Sequence, residues 1–121
     1  MSAQGSRRIL HLAVRADWEQ ARRDGSYTIS TRGQSLAGVG FIHASTAAQL
    51  PGVRSAFYAD LPDADLVVLH LDVGALEAAG SPVRWEPVAG QLFPHVYGPL
   101  PVAAVIEITP VPNPGDPPLQ A

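Results

Sequence analysis

Four histidines are the first residues of interest in this chain of 121 residues, which contains no Cys and whose eight basic residues are all Arg. His11, His43 and His70 each sit within an apolar run. His95 lies in the proline-rich stretch Phe93-Pro-His-Val-Tyr-Gly-Pro-Leu-Pro101. An imidazole in an apolar run must bond a neighbour or face a cleft, because an unpaired buried polar group costs about 1–3 kcal/mol. A core histidine with both ring nitrogens satisfied meets that demand without any chemistry, and this reading stands beside every functional one. Zinc would favour close pairs such as His-x-x-x-His, and none occurs, so no metal is expected. The nucleophile elbow Gly-x-Ser-x-Gly is also missing, which argues against a serine hydrolase. Without Cys or Lys there is no thiol nucleophile and no Schiff base.

The segment Gly40-Phe-Ile-His-Ala-Ser-Thr46 is the sharpest local pattern. It reads as a strand ending at His43 and passing into a helix headed by two hydroxyls. Such a helix start suits an anion or phosphate, with Ser45 and Thr46 as binding groups. Capping of the helix itself would account for the same two residues, and Thr46 and Gln49 have capping-box spacing. His95 and Tyr97 lie on what reads as a loop stiffened by Pro94, Pro99 and Pro101. Such a loop either lines a site or fixes a strand entry.

Elements must bring these residues together. Ile9–Val14 reads as a strand, and 16–24 as a helix with Asp17 and Glu19 in its first turn and Arg22 and Arg23 in its last, closed by Gly25. Residues 25–40 read as a loop with a short strand near Tyr27–Ile29. A helix over 47–58 must break or kink at Pro51. Leu66–Val73 is apolar enough for a central strand, and one helical turn follows around Leu76. Val83–Pro87 is a short strand, at an edge because of Pro87. Val102–Thr109 is the last strand. Residues 8–109 form one α+β domain with a split, mixed β-sheet and two main short helices, and 1–7 and 110–121 are flexible ends. The net charge of −3 argues against DNA and RNA as partners. No run is long enough for a signal peptide or a membrane span, so a cytoplasmic protein is expected.

Ile9-Leu-His-Leu-Ala, the Asp17-Trp-Glu helix ending in Gly25-Ser-Tyr27, Gly40-Phe-Ile-His-Ala-Ser-Thr46 and Phe93-Pro-His-Val-Tyr-Gly-Pro-Leu-Pro101 occur in this order. Together they resemble the domain of unknown function 952 family over roughly residues 8–109. The resemblance implies an ADP-ribosyltransferase-like fold, in the branch with two strand histidines that includes the RNA 2′-phosphotransferases. On that likeness His11 and His43 are the catalytic strand histidines and contact NAD, with Ser45 at the cleft floor. Glu86 is a catalytic candidate by residue type only, since this branch has an apolar residue where many relatives have glutamate. Arginines that would hold an RNA phosphate have no motif match. The implied ligand is NAD or another small nucleotide-like molecule, with Trp85 or Tyr97 as a stacking face for nicotinamide. Thr46 and His95 complete the candidate binding set. Two further readings stay open: a small-molecule enzyme that uses the cleft for other chemistry, and a non-catalytic binding module.

Overall fold

The most apolar run of the chain sits where two layers of side chains can cover it. The computed structural model describes residues 7–113 together with Asp116 and Leu119. In chain order the elements are β1 (Arg8–Val14), α1 (Arg15–Asp24), β2 (Ser26–Tyr27), β3 (Ile29–Thr31), β4 (Gln34–Ser35), α2 (Leu36–Val39), β5 (Ile42–His43) and α3 (Leu50–Phe57). After a 3-10 turn come β6 (Leu66–Asp72), α4 (Val73–Ala78), β7 (Val83–Val88), β8 (Gln91–Val96), β9 (Leu100–Pro101), a second 3-10 turn and β10 (Val105–Thr109).

β6 is the middle strand of a sheet ordered β1-β6-β10, as its composition predicts. Six of its seven residues are buried because both faces of the sheet are covered. Ile9, Ala13, Val67, Leu69 and Leu71 pack with Trp18 and Ala21 of α1 and Leu76 of α4. Leu10, Leu12, Leu66 and Val68 face the other way, onto Leu50 and Val53 of α3 and Tyr58. Two-sided burial explains why the strand reads as a continuous apolar run and not as an alternation.

The second sheet is ordered β5-β8-β7 and joins the first through an antiparallel bridge between Leu10 and Ser45. Each of these two residues donates its N–H to the other's carbonyl at 2.8 Å. β7 and β8 form a hairpin in which Val88 faces Gln91. Its two turn residues, Ala89 and Gly90, have φ of 52° and 85°. Two consecutive positive φ values give the backbone twist that matches a pair of strands.

The structure departs from the sequence-based expectation in five places. Every strand pairing among the described residues is antiparallel, so the sheet is not mixed. The stretch read as a proline-rich loop supplies β8, the central strand of the second sheet. Pro94 is tolerated there because its missing donor would face β5, which is only two residues long. Its carbonyl still accepts from Ala44 N–H at 3.0 Å. Pro51 lies in the first turn of α3 and does not break it, since a first-turn N–H needs no partner inside the helix. The loop read over 25–40 holds β2, β3, β4 and α2. Finally, both ends are partly held: Arg7 accepts a bond from Val73 N–H at 3.0 Å, and Val111 is buried in the α3 layer. Of the two expected flexible ends, residues 1–6, 114, 115, 117, 118, 120 and 121 lie outside the described residues. No helix among the described residues is long and apolar enough to cross a membrane.

Candidate functional site

The four histidines fall into two kinds. His11, on β1, is 2% exposed. Its Nδ1 lies 2.7 Å from the backbone carbonyl of His43, and its Nε2 lies 3.0 Å from the Tyr27 hydroxyl. A carbonyl only accepts, so Nδ1–H donates to it and the Tyr27 hydroxyl donates to the bare Nε2. Burial drives the His11 pKa down to about 4 and pushes that of Tyr27 up, so the ring is neutral at pH 7. His70, on β6, is likewise 2% exposed. One nitrogen meets Arg8 at 3.2 Å and the other the Thr109 hydroxyl at 2.9 Å. Burial lowers its pKa as well.

His43 and His95 differ. They are cross-strand partners on β5 and β8, with ring centroids 5.4 Å apart. Each has an Nε2 that is buried and has no hydrogen-bond partner among the described residues. Aromatic rings surround the pair. Phe41 stacks on His95 with centroids 4.0 Å apart, and Phe93 and Phe57 lie 5.1 and 6.3 Å from His43. Desolvation, reinforced by the neighbouring His95, lowers the His43 pKa to about 4.

Strand alternation puts Arg84 and Glu86 of β7 on the same face as their cross-strand partners His95 and Phe93. Glu86 Oε1 accepts from His95 Nδ1–H at 2.7 Å and from the Tyr97 hydroxyl. These two donors, Tyr97 first, hold the carboxyl below its ordinary pKa, and the carboxylate in turn raises that of Tyr97. The Arg84 guanidinium lies 5.1 Å from the centre of the Tyr97 ring. One sheet face therefore carries a cation, a carboxylate, a phenol and two imidazoles in a row.

The structure thus brings His43, Glu86, His95 and Tyr97 together. It does not bring His11 into that group, because both nitrogens of His11 are engaged in the interior. Ser45 is buried at the bridge to β1. Thr46 forms a reciprocal capping box with Gln49, whose N–H donates to Thr46 Oγ1 at 3.2 Å while the Gln49 side-chain oxygen accepts from Thr46 N–H at 3.0 Å. Trp85 pairs with Pro94 on the face opposite Glu86 and is 42% exposed. The cavity between His11, His43, Ser45, Ser30 and Tyr58 holds about 10 Å³, room for about one water molecule. A larger cavity of about 400 Å³ lies between α3 and the C-terminal segment, lined by Leu50, Pro51, Arg54, Val111 and Leu119 among others. It contains none of the candidate residues. Arg84, Phe41 and Phe93 belong to the site but were not singled out from the sequence. Alternation of Arg84 with Glu86 was the available signal, and it is informative only once residues 91–96 are known to be a strand.

The crystal structure of protein CC0527 from Caulobacter crescentus is similar, with a TM-score of 0.72 and 28% identity, covering 86% of this chain and 85% of that one. A crystal structure of its double mutant matches at TM-score 0.71 and 27% identity over the same shares. The solution NMR structure of CC0527 matches at 0.65 and 27%, covering 84% and 82%. No curated protein matches this chain. The profile described as Protein of unknown function (DUF952) matches residues 12–108, and the chain belongs to that family.

Proposed function

We propose that the protein binds a small nucleotide-like ligand of the NAD or ADP-ribose class against the β5-β8-β7 face, with ADP-ribosyl transfer as the associated chemistry. The observation that carries the reading is the pair of buried, unpartnered Nε2 atoms of His43 and His95 on adjacent strands. A folded protein rarely leaves two such atoms bare in one place, and a ligand's hydroxyl or amide groups would satisfy both. Arg84 at the rim suits a phosphate, and Tyr97 with the phenylalanines suits a planar ring. Resemblance to the ADP-ribosyltransferase-like fold supports the ligand class by analogy. Bound NAD would supply a reactive ribose carbon, and the protein's part is to orient it and exclude water.

Thermal melting with NAD, ADP-ribose and nicotinamide tests the reading. A ligand present at 100 times its Kd should stabilise the fold by about 2.7 kcal/mol, and His43→Phe should lose that gain. No shift with any of the three, or an undiminished shift in His43→Phe, overturns it. A second reading, an enzyme that moves a proton on another small molecule, is favoured by the Glu86–His95 pair. It predicts that nucleosides or other neutral hydroxyl compounds shift the melting temperature where NAD does not.

A further inference from the structure

We infer that His95 is the proton-accepting group of this site and that Glu86 is the residue that positions it. The inference rests on the reading that a ligand enters the β5-β8-β7 face, and it deepens that reading by assigning the role of each side chain.

Because an ionised carboxylate only accepts, the 2.7 Å contact between Glu86 Oε1 and His95 Nδ1 places the ring proton on Nδ1. With the proton held on Nδ1, the uncharged form of the ring carries its lone pair on Nε2, the atom left without a partner. Phe41 stacked on the ring holds its plane, and the Tyr97 hydroxyl holds Glu86 through the same carboxylate oxygen. A histidine whose Nδ1–H is fixed by a carboxylate and whose Nε2 is bare has the geometry of a general base. His11 supplies an internal contrast. There the equivalent Nε2 lone pair is filled by Tyr27, so the fold is able to satisfy such an atom and does not do so at His95.

The complement of a bare lone pair is a donor. The ligand group facing His95 is thus an O–H or N–H, such as a ribose hydroxyl or a carboxamide. In the proton transfer the ligand's O–H bond breaks and its electron pair stays on the oxygen. The proton bonds to Nε2, and the imidazolium formed is neutralised by Glu86. Nothing is oxidised or reduced. The ring of His43 lies beside this position and offers the ligand a second polar contact.

Nitrogen-15 NMR of histidine-labelled protein tests the assignment directly. In the free protein His95 should show a protonated Nδ1 and an unprotonated Nε2. Glu86→Gln, which offers an uncharged carbonyl in place of the carboxylate, should populate the second tautomer. Titration with ADP-ribose should move the Nε2 signal of His95 and leave that of His11 in place. A proton on Nε2 in the free protein, or a tautomer indifferent to Glu86→Gln, overturns the inference. If ADP-ribose leaves the melting temperature unchanged, the ligand-class reading falls alone. The same titration is then read with nicotinamide and with nucleosides, and an Nε2 signal that none of them moves overturns the role of His95.

Discussion

Two pairs of strand histidines, all buried except the half-buried His43, occupy the two sheets of this molecule. In the β1-β6-β10 sheet, His11 and His70 each have both ring nitrogens bonded within the protein. In the β5-β8-β7 sheet, His43 and His95 each leave a buried Nε2 bare. In the first sheet β1 and β6 are covered on both faces, and a polar group buried there must find its partners within the protein. The second carries Arg84, Glu86 and Tyr97 on one face, next to the bare imidazoles. The difference separates histidines whose ring nitrogens are all bonded within the fold from histidines that keep an unpartnered, buried Nε2, a distinction that burial alone would miss.

The contrast can be broken most severely at His11. His11→Ala removes a fully buried ring and leaves the His43 carbonyl and the Tyr27 hydroxyl without partners. A loss of about 3 kcal/mol in denaturant unfolding is expected. A loss below about 1 kcal/mol would place His11 among the functional pair instead.

Acid tests the same residue without mutation. The His11 pKa is about 4 in the folded protein against 6.5 ordinarily, so the unfolded chain takes up the proton first. Its contribution is complete above pH 6.5 and is lost as pH falls through the window from 6.5 to about 4, about 3 kcal/mol in all. His43, lowered to about 4, adds to the fall in the same window. Unfolding midpoints measured at pH 7 and pH 4.5 should differ accordingly, and a flat profile contradicts the burial of a neutral ring.

Tyr27→Phe is gentler. It keeps the aromatic packing and removes the hydroxyl that His11 Nε2 depends on, at an expected cost of about 2 kcal/mol by calorimetry.

The smallest effect is expected at His43. His43→Phe exchanges a ring with a bare nitrogen for an apolar one among Phe57, Phe93 and His95. Stability should stay within about 0.5 kcal/mol of the parent, or rise, while ligand stabilisation disappears. A large destabilisation would show that His43, like His11, serves the fold.

How much of this was legible in the sequence differs by element. α1, with its acidic start, basic end and Gly25 cap, follows from local rules because a helix satisfies its hydrogen bonds within itself. β6 was evident as a central strand from its unbroken apolar run. β8 was hidden, because prolines at 94, 99 and 101 argue for a loop, and only the pairing with β7 and the two-residue β5 shows why a proline is acceptable there. Missing that strand also hid the shared face of Arg84, Glu86 and His95.

By itself, the sequence determined the repertoire: histidine, carboxylate, hydroxyl, phenol and arginine, with no thiol and no amine, on a single α+β domain. It also offered His43, Glu86, His95 and Tyr97 as candidates, four residues that the fold places together. Only the tertiary structure decided which histidine nitrogens are bonded within the described residues and which are left without a partner. That choice depends on whether a hydroxyl or carbonyl from a distant segment arrives within about 3 Å of a ring nitrogen. Tyr27 reaches His11 across 16 positions of sequence, and nothing in the described structure reaches the Nε2 of His95.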